Sequence, residues 1–158
     1  MNTQAMFYIL EQANADAEPM ALANLHGCFQ AAYFYRQNQR VFIYTSDQAH
    51  AHIIDELLWS FEPNSFVAHN LVGEGPKNGA AVEISWQVPT NRRSVLINLT
   101  STVPHFAHQF SQIVDFVPSD EDLKQLARER FKGYRQLGFK VDNQTINAEK
   151  VNNNTINN

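Results

Sequence analysis

The chain has 158 residues, 44% of them hydrophobic, and a formal net charge of −4. That is enough for one well-buried core and too little for two ordinary domains, and the acidity excludes a broad cationic surface, so little direct DNA binding is expected. No apolar run approaches the roughly 20 residues that span a membrane, and the start MNTQAMFYIL lacks a basic region followed by a long apolar segment. These features predict an unexported, cytoplasmic protein with no membrane partner. The single Cys28 has no internal disulfide partner and reads as a small core residue, in keeping with a reducing compartment.

Phe7–Leu10 reads as a short buried strand. After Pro19, Leu22, Leu25, Phe29, Ala32 and Tyr33 recur at helical spacing. Arg40–Thr45 is a second strand, and Gln48–Ser60 a helix whose buried face carries Ile54, Leu57 and Leu58, with Phe61 continuing it. Trp59 points roughly opposite that face, which predicts an outward aromatic of the kind that anchors interfaces. The following FEPNSFVAHNL could extend the same surface through Phe66 and Leu71.

Phe66–His69, Val82–Trp86, Val95–Leu99 and Gln112–Val117 supply further strands. Strands alternating with helices predict a single-domain α/β fold, an open and mostly parallel sheet flanked by helices. Val82–Trp86 and Val95–Leu99 have no helix between them, so an antiparallel pair is expected there. LVGEGPKNG, residues 71–79, does not have the spacing of a dinucleotide fingerprint or a P-loop, and another strand follows it. Its glycines read as permitting a tight, irregular loop. The six histidines lack metal-site spacing, and no GxSxG, HExxH, CxxC or acid/base pair is present. Neither a catalyst nor a cofactor is nominated.

Residues 114–139, VDFVPSDEDLKQLARERFKGYRQLGF, carry the strongest functional signal. Ser119 or Asp120 is the expected N-cap, with Glu121 and Asp122 suiting the helix start. On a 3.6-residue period Lys124, Arg128, Phe131, Lys132 and Arg135 share an outward arc, while Leu123, Leu126, Tyr134 and Leu137 lie on the other side. Six of the 12 Lys and Arg residues lie between Lys124 and Lys140. The stripe calls for an acidic, partly apolar partner. Arg130 falls within the apolar side, so its guanidinium should pair with an internal carboxylate or carbonyl. Beyond Phe139 the Asn-rich composition predicts a mobile tail, giving a domain over residues 1–141 and a disordered tail over 142–158.

Several of these segments together resemble the chi subunit of bacterial DNA polymerase III holoenzyme: FY at Phe7–Tyr8, LW at Leu58–Trp59, SFVAHNLVGEGP at Ser65–Pro76, VEI at Val82–Ile84, VDFVP at Val114–Pro118 and LKQLARERFKGYRQLGF at Leu123–Phe139. The resemblance implies a Rossmann-like fold without a working nucleotide site. It also implies a non-enzymatic, cofactor-free accessory subunit of the clamp-loader assembly in DNA replication.

It further implies two partners. The psi subunit, which connects to the clamp loader, is assigned to Trp59, Phe66, His69, Asn70 and Leu71, with a helicase as a further candidate at that face. The acidic C-terminal tail of single-stranded DNA-binding protein, which ends in Pro-Phe and a free carboxylate, is assigned to Val117, Lys124, Arg128, Phe131, Lys132 and Arg135. The chain departs from the family pattern at Phe131, where Tyr is common, at Ala68, where Pro is common, and in its Asn-rich extension. The rival readings on this fold are a nucleotide-dependent enzyme and a nucleic-acid-binding module.

Overall fold

The computed structural model describes residues 2–11 and 18–147. Seven strands, β1 (Gln4–Glu11), β2 (Val41–Tyr44), β3 (His69–Leu71), β4 (Val82–Ser85), β5 (Val95–Asn98), β6 (Gln112–Val117) and β7 (Lys140–Asn147), form one sheet in the order β3-β4-β2-β5-β6-β1-β7. Three helices, α1 (Ala21–Arg36), α2 (Gln48–Ser60) and α3 (Glu121–Gln136), cover it.

The central strands VFIY, VEIS and VLIN are short and almost wholly buried, as expected for strands covered on both faces. Side-chain alternation divides the core into two layers. Ile43, Ile97 and Phe116 pack with Cys28 of α1 and with Ile54 and Leu58 of α2. Phe7, Phe42, Leu96 and Ile113 pack on the other side with Tyr134 of α3 and the loop aromatics Phe106 and Phe110. Burial pushes the Cys28 thiol far above its ordinary range, which suits a core residue.

The sheet differs from the sequence expectation in three places. All neighbouring strands are parallel, and β4 and β5, joined without a helix, form no antiparallel pair. These two strands are not neighbours: β2 lies between them, so the connection steps over β2 instead of turning back as a hairpin. The third strand begins at His69, leaving Phe66 in the approach to the sheet.

The third correction concerns the end of the domain. Residues 142–147, expected to belong to a disordered tail, continue β7, which pairs with β1 from Gln4↔Lys140 to Glu11↔Asn147. Polar side chains do not prevent this, because an edge strand gains its backbone hydrogen bonds from β1 while leaving most side chains in solvent. Residues 148–158 lie outside the described part of the chain.

Among the described residues no helix is long and apolar enough to cross a membrane.

Candidate partner-binding surfaces

The position of α3 is set by a buried polar network. Its buried residues are Ala127, Arg130 and Tyr134, spaced to share one face. Arg130 Nη2 lies 3.0 Å from Asp115 Oδ1, Arg130 Nε donates to the same carboxylate at 3.1 Å, and the guanidinium also reaches the Phe116 carbonyl. Tyr134 Oη donates to Asp115 Oδ2 at 2.9 Å, Asn98 Nδ2 donates to it at 3.1 Å, and the Phe116 amide donates to Oδ1. Burial is the largest influence on the Asp115 carboxyl and leaves it above its ordinary range, against the Arg130 charge and the hydrogen bonds from Arg130, the Phe116 amide and Tyr134. Every surrounding group donates, which is the environment of a carboxylate anion.

This network confirms the expected internal pairing of Arg130 and corrects the expected apolar face. Leu126 is 38% and Leu137 54% exposed, because the face pressed on the sheet centres on Ala127, Arg130 and Tyr134. Phe131 is correspondingly drawn inward. Its ring is half-buried 5.3 Å from that of Phe7, and Val117, also half-buried, packs on the same core layer. Both side chains are thus apolar and half-buried on the side of the sheet that α3 covers.

Lys124, Arg128, Lys132 and Arg135 line the outer side of the helix. Their contacts are local: Lys124 Nζ lies 3.4 Å from Glu121 Oε1, Lys132 Nζ 4.0 Å from Glu129 Oε1, and Arg128 Nη1 donates to Gln125 Oε1 at 3.3 Å. Such exposed pairs at i, i+3 contribute little and are readily exchanged for an incoming carboxylate. Asp120 caps α3 through the Leu123 amide at 3.0 Å.

The aromatic surface lies on the other side of the sheet, where α2 packs in the opposite core layer. Trp59 is 64% and Phe66 66% exposed. Beneath the Trp59 ring, 4.6 Å between centroids, sits His69. Its Nδ1 donates to the Val67 carbonyl at 2.7 Å, and its Nε2 faces Asp55 Oδ1 at 3.4 Å. His69 therefore supports the indole.

Asn70 and Leu71, expected at the same surface, are buried and cannot present side chains to a partner. Leu71 belongs to the core, while Asn70 donates to the Leu71 carbonyl at 2.6 Å and accepts from the Ala80 amide, closing the loop between β3 and β4. A Cβ on Gly75, whose φ is +89°, would lie 2.9 Å from Asn70 Cγ. The glycines thus serve the tight loop anticipated from their spacing, and β4 follows it.

A family model described as DNA polymerase III chi subunit, HolC, matches residues 2–142. The chain belongs to the chi family. Chi proteins similar to it include the DNA polymerase III subunit chi of Escherichia coli K12, 42% identical over 143 residues, covering 89% of this chain and 97% of that protein. The subunit chi of Haemophilus influenzae is 42% identical over 149 residues, covering 92% and 99%. The subunit chi of Pseudomonas aeruginosa is 29% identical over 144 residues, covering 91% and 97%.

Among solved structures, the crystal structure of T4 UvsW superposes with a TM-score of 0.60 over 92% of this chain and 41% of that one, at 11% identity. That likeness concerns the fold alone. The chi family match takes in both surfaces described above and ends within β7.

The sequence left two features unread: Asp115 as the partner of Arg130 and a crevice beside Leu126. A lone carboxylate in the apolar strand QIVDFV is a signal for the first, since a buried acid must find donors. The second depends on three helix starts converging, which no local pattern encodes.

Proposed function

We propose that this chi-family chain is a non-catalytic accessory subunit of the DNA polymerase III holoenzyme, linking the clamp loader, through psi, to single-stranded DNA-binding protein in the cytoplasm. The observation that carries the proposal is a cationic row on α3 together with half-buried apolar side chains on the side of the sheet that α3 covers. Lys124, Arg128, Lys132 and Arg135 suit carboxylates, and the half-buried Phe131 and Val117 suit an apolar end, the chemistry of an acidic tail closing in Pro-Phe and a free carboxylate. Each contact is modest, and many tails displayed along coated DNA raise the effective concentration.

The exposed Trp59 and Phe66, with His69 behind them, support the psi face. A helicase presenting the same chemistry would compete there.

The nucleotide-dependent reading is less well supported. At the starts of α2 and α3, where a phosphate would seat, the Asp47 and Asp120 carboxylates already accept from the His50 and Leu123 amides.

Titration calorimetry with the tail peptide tests the reading. Amidating its C-terminus removes a charge-assisted contact, which should cost about 1.5–3 kcal/mol, roughly tenfold or more in affinity. Equal affinity for the free and amidated peptides would overturn the carboxylate assignment.

A further inference from the structure

A crevice of about 460 Å³ opens outside the carboxyl ends of β5 and β6, between the starts of α1, α2 and α3, and belongs to neither surface described above. Ligands of open α/β sheets characteristically enter at this end of the strands, and an apolar cavity of such a size with a few fixed polar groups is the usual form of a binding site. Its apolar walls include Met20, Ile53, Leu99, Leu123 and Leu126, of which Ile53 is 54% exposed. One wall is tied together by His50. Its Nε2 lies 2.8 Å from Asn24 Oδ1 and its Nδ1 3.3 Å from the Ser46 amide, so Nε2 donates, Nδ1 accepts, and the start of α2 is fastened to α1.

Charge selects the occupant. Glu18 and Asp47 lie exposed at the rim, and the lining residue Pro118 leads directly into Asp120, Glu121 and Asp122. Among the described residues the only Lys or Arg lining the crevice is Arg130, which Asp115 already neutralises. At the starts of α2 and α3 an acidic side chain already sits where an anion would approach: the Asp47 carboxylate accepts from the His50 amide at 2.8 Å and the Asp120 carboxylate from the Leu123 amide at 3.0 Å. A phosphate entering here would meet carboxylates.

We infer that this crevice is a third docking site, for a peptide segment of a protein partner in which large apolar side chains are flanked by Lys or Arg. The apolar side chains fill the space between Ile53 and Leu126, and the cations meet Glu18, Asp47 and the acidic start of α3. The two sides of α3 therefore select opposite partners, acidic on the outer row and basic at the crevice. The inference does not rest on the psi or tail assignments.

The test uses the full chain with isotope-labelled Ile and Leu methyl groups and the capped peptide Lys-Arg-Leu-Trp-Leu-Arg-Lys. Controls are a counterpart carrying Glu at every cationic position and magnesium ATP. The cationic peptide should shift the methyl signals of Ile53, Leu123 and Leu126, whereas the acidic peptide and the nucleotide should leave them in place. Ile53→Lys and Leu126→Lys, at exposed positions that do not open the core, should each weaken the cationic peptide about tenfold. Arg128→Ala should leave its affinity unchanged. Absence of shifts at these methyls with millimolar cationic peptide would overturn the inference. So would equal shifts with the acidic peptide, shifts with magnesium ATP, or unchanged binding to both folded Lys variants.

Discussion

Arg130 and Asp115, fifteen residues apart in sequence, meet in the interior with Nη2 3.0 Å from Oδ1, and this contact fixes the rotation of α3 on the sheet. Because both groups are buried, removing one leaves the other without its counter-charge. Arg130→Met should therefore destabilise the fold by about 3–5 kcal/mol in denaturant titration. Adding Asp115→Asn to that variant should recover part of the loss, since the uncompensated anion is gone. An Arg130→Met protein as stable as the parent would contradict the network.

His26, buried on α1 near the rings of Phe29 and Phe116, is pushed by desolvation down to about 4. Its folded pKa lies below the unfolded value near 6.5, so the unfolded chain binds more protons between these two values. The corresponding stability is present above about pH 6.5 and is lost as pH falls through about 4. Chemical denaturation across this window should show a loss of up to about 3 kcal/mol from this group, and His26→Gln should reduce the slope. An unchanged slope in that variant would rule out His26 as its source.

The eight-residue pairing of β7 with β1 makes residues 142–147 part of the folded domain. A chain ending at Val141 should be less stable by about 1–3 kcal/mol than one ending at Asn147, because ladder hydrogen bonds are lost against a partly offsetting gain in chain entropy. That difference lowers the melting temperature by about 2–4 °C per kcal/mol at this chain length. Identical melting curves for the two chains would contradict the strand.

Periodicity was a sound guide where a helix buried one uninterrupted apolar stripe. Ile54 and Leu58 of α2 are buried with Leu57 and Phe61 packed beside them, and Trp59 faces outward as its angular position requires. It misled on α3, where leucines were weighted above the smaller Ala127 and above Arg130, whose burial depends on an acid in a distant strand. Composition misled at β7, since an edge strand tolerates polar side chains that would be costly in the sheet centre. Asn70 and Leu71 leave the surface expected for them with Phe66 for two different reasons: Leu71 enters the core, and Asn70 is covered by the loop it closes at Gly75 and Ala80. The cations of α3 were legible because exposed charge follows helical spacing directly.

Phe131, half-buried on α3 and proposed to meet the apolar end of the tail, carries no hydroxyl. Phe131→Tyr supplies one, and a net hydrogen bond of about 0.5–1.5 kcal/mol should tighten the tail peptide roughly two- to tenfold. Calorimetry comparing the two proteins checks this. Unchanged or weaker binding would mean that the ring edge does not face the ligand's polar groups.

The central claim is that α3 and the Trp59 surface serve different partners from opposite faces of the sheet, and one two-by-two titration tests it most directly. Arg128→Ala and Trp59→Ala, each shown by circular dichroism to remain folded, are titrated with the acidic tail peptide and with psi. The account predicts that Arg128→Ala loses tail affinity while keeping psi, and that Trp59→Ala keeps the tail while weakening psi by about 2 kcal/mol or more. Equal loss of both partners in folded Arg128→Ala, or normal psi binding by folded Trp59→Ala, would contradict it.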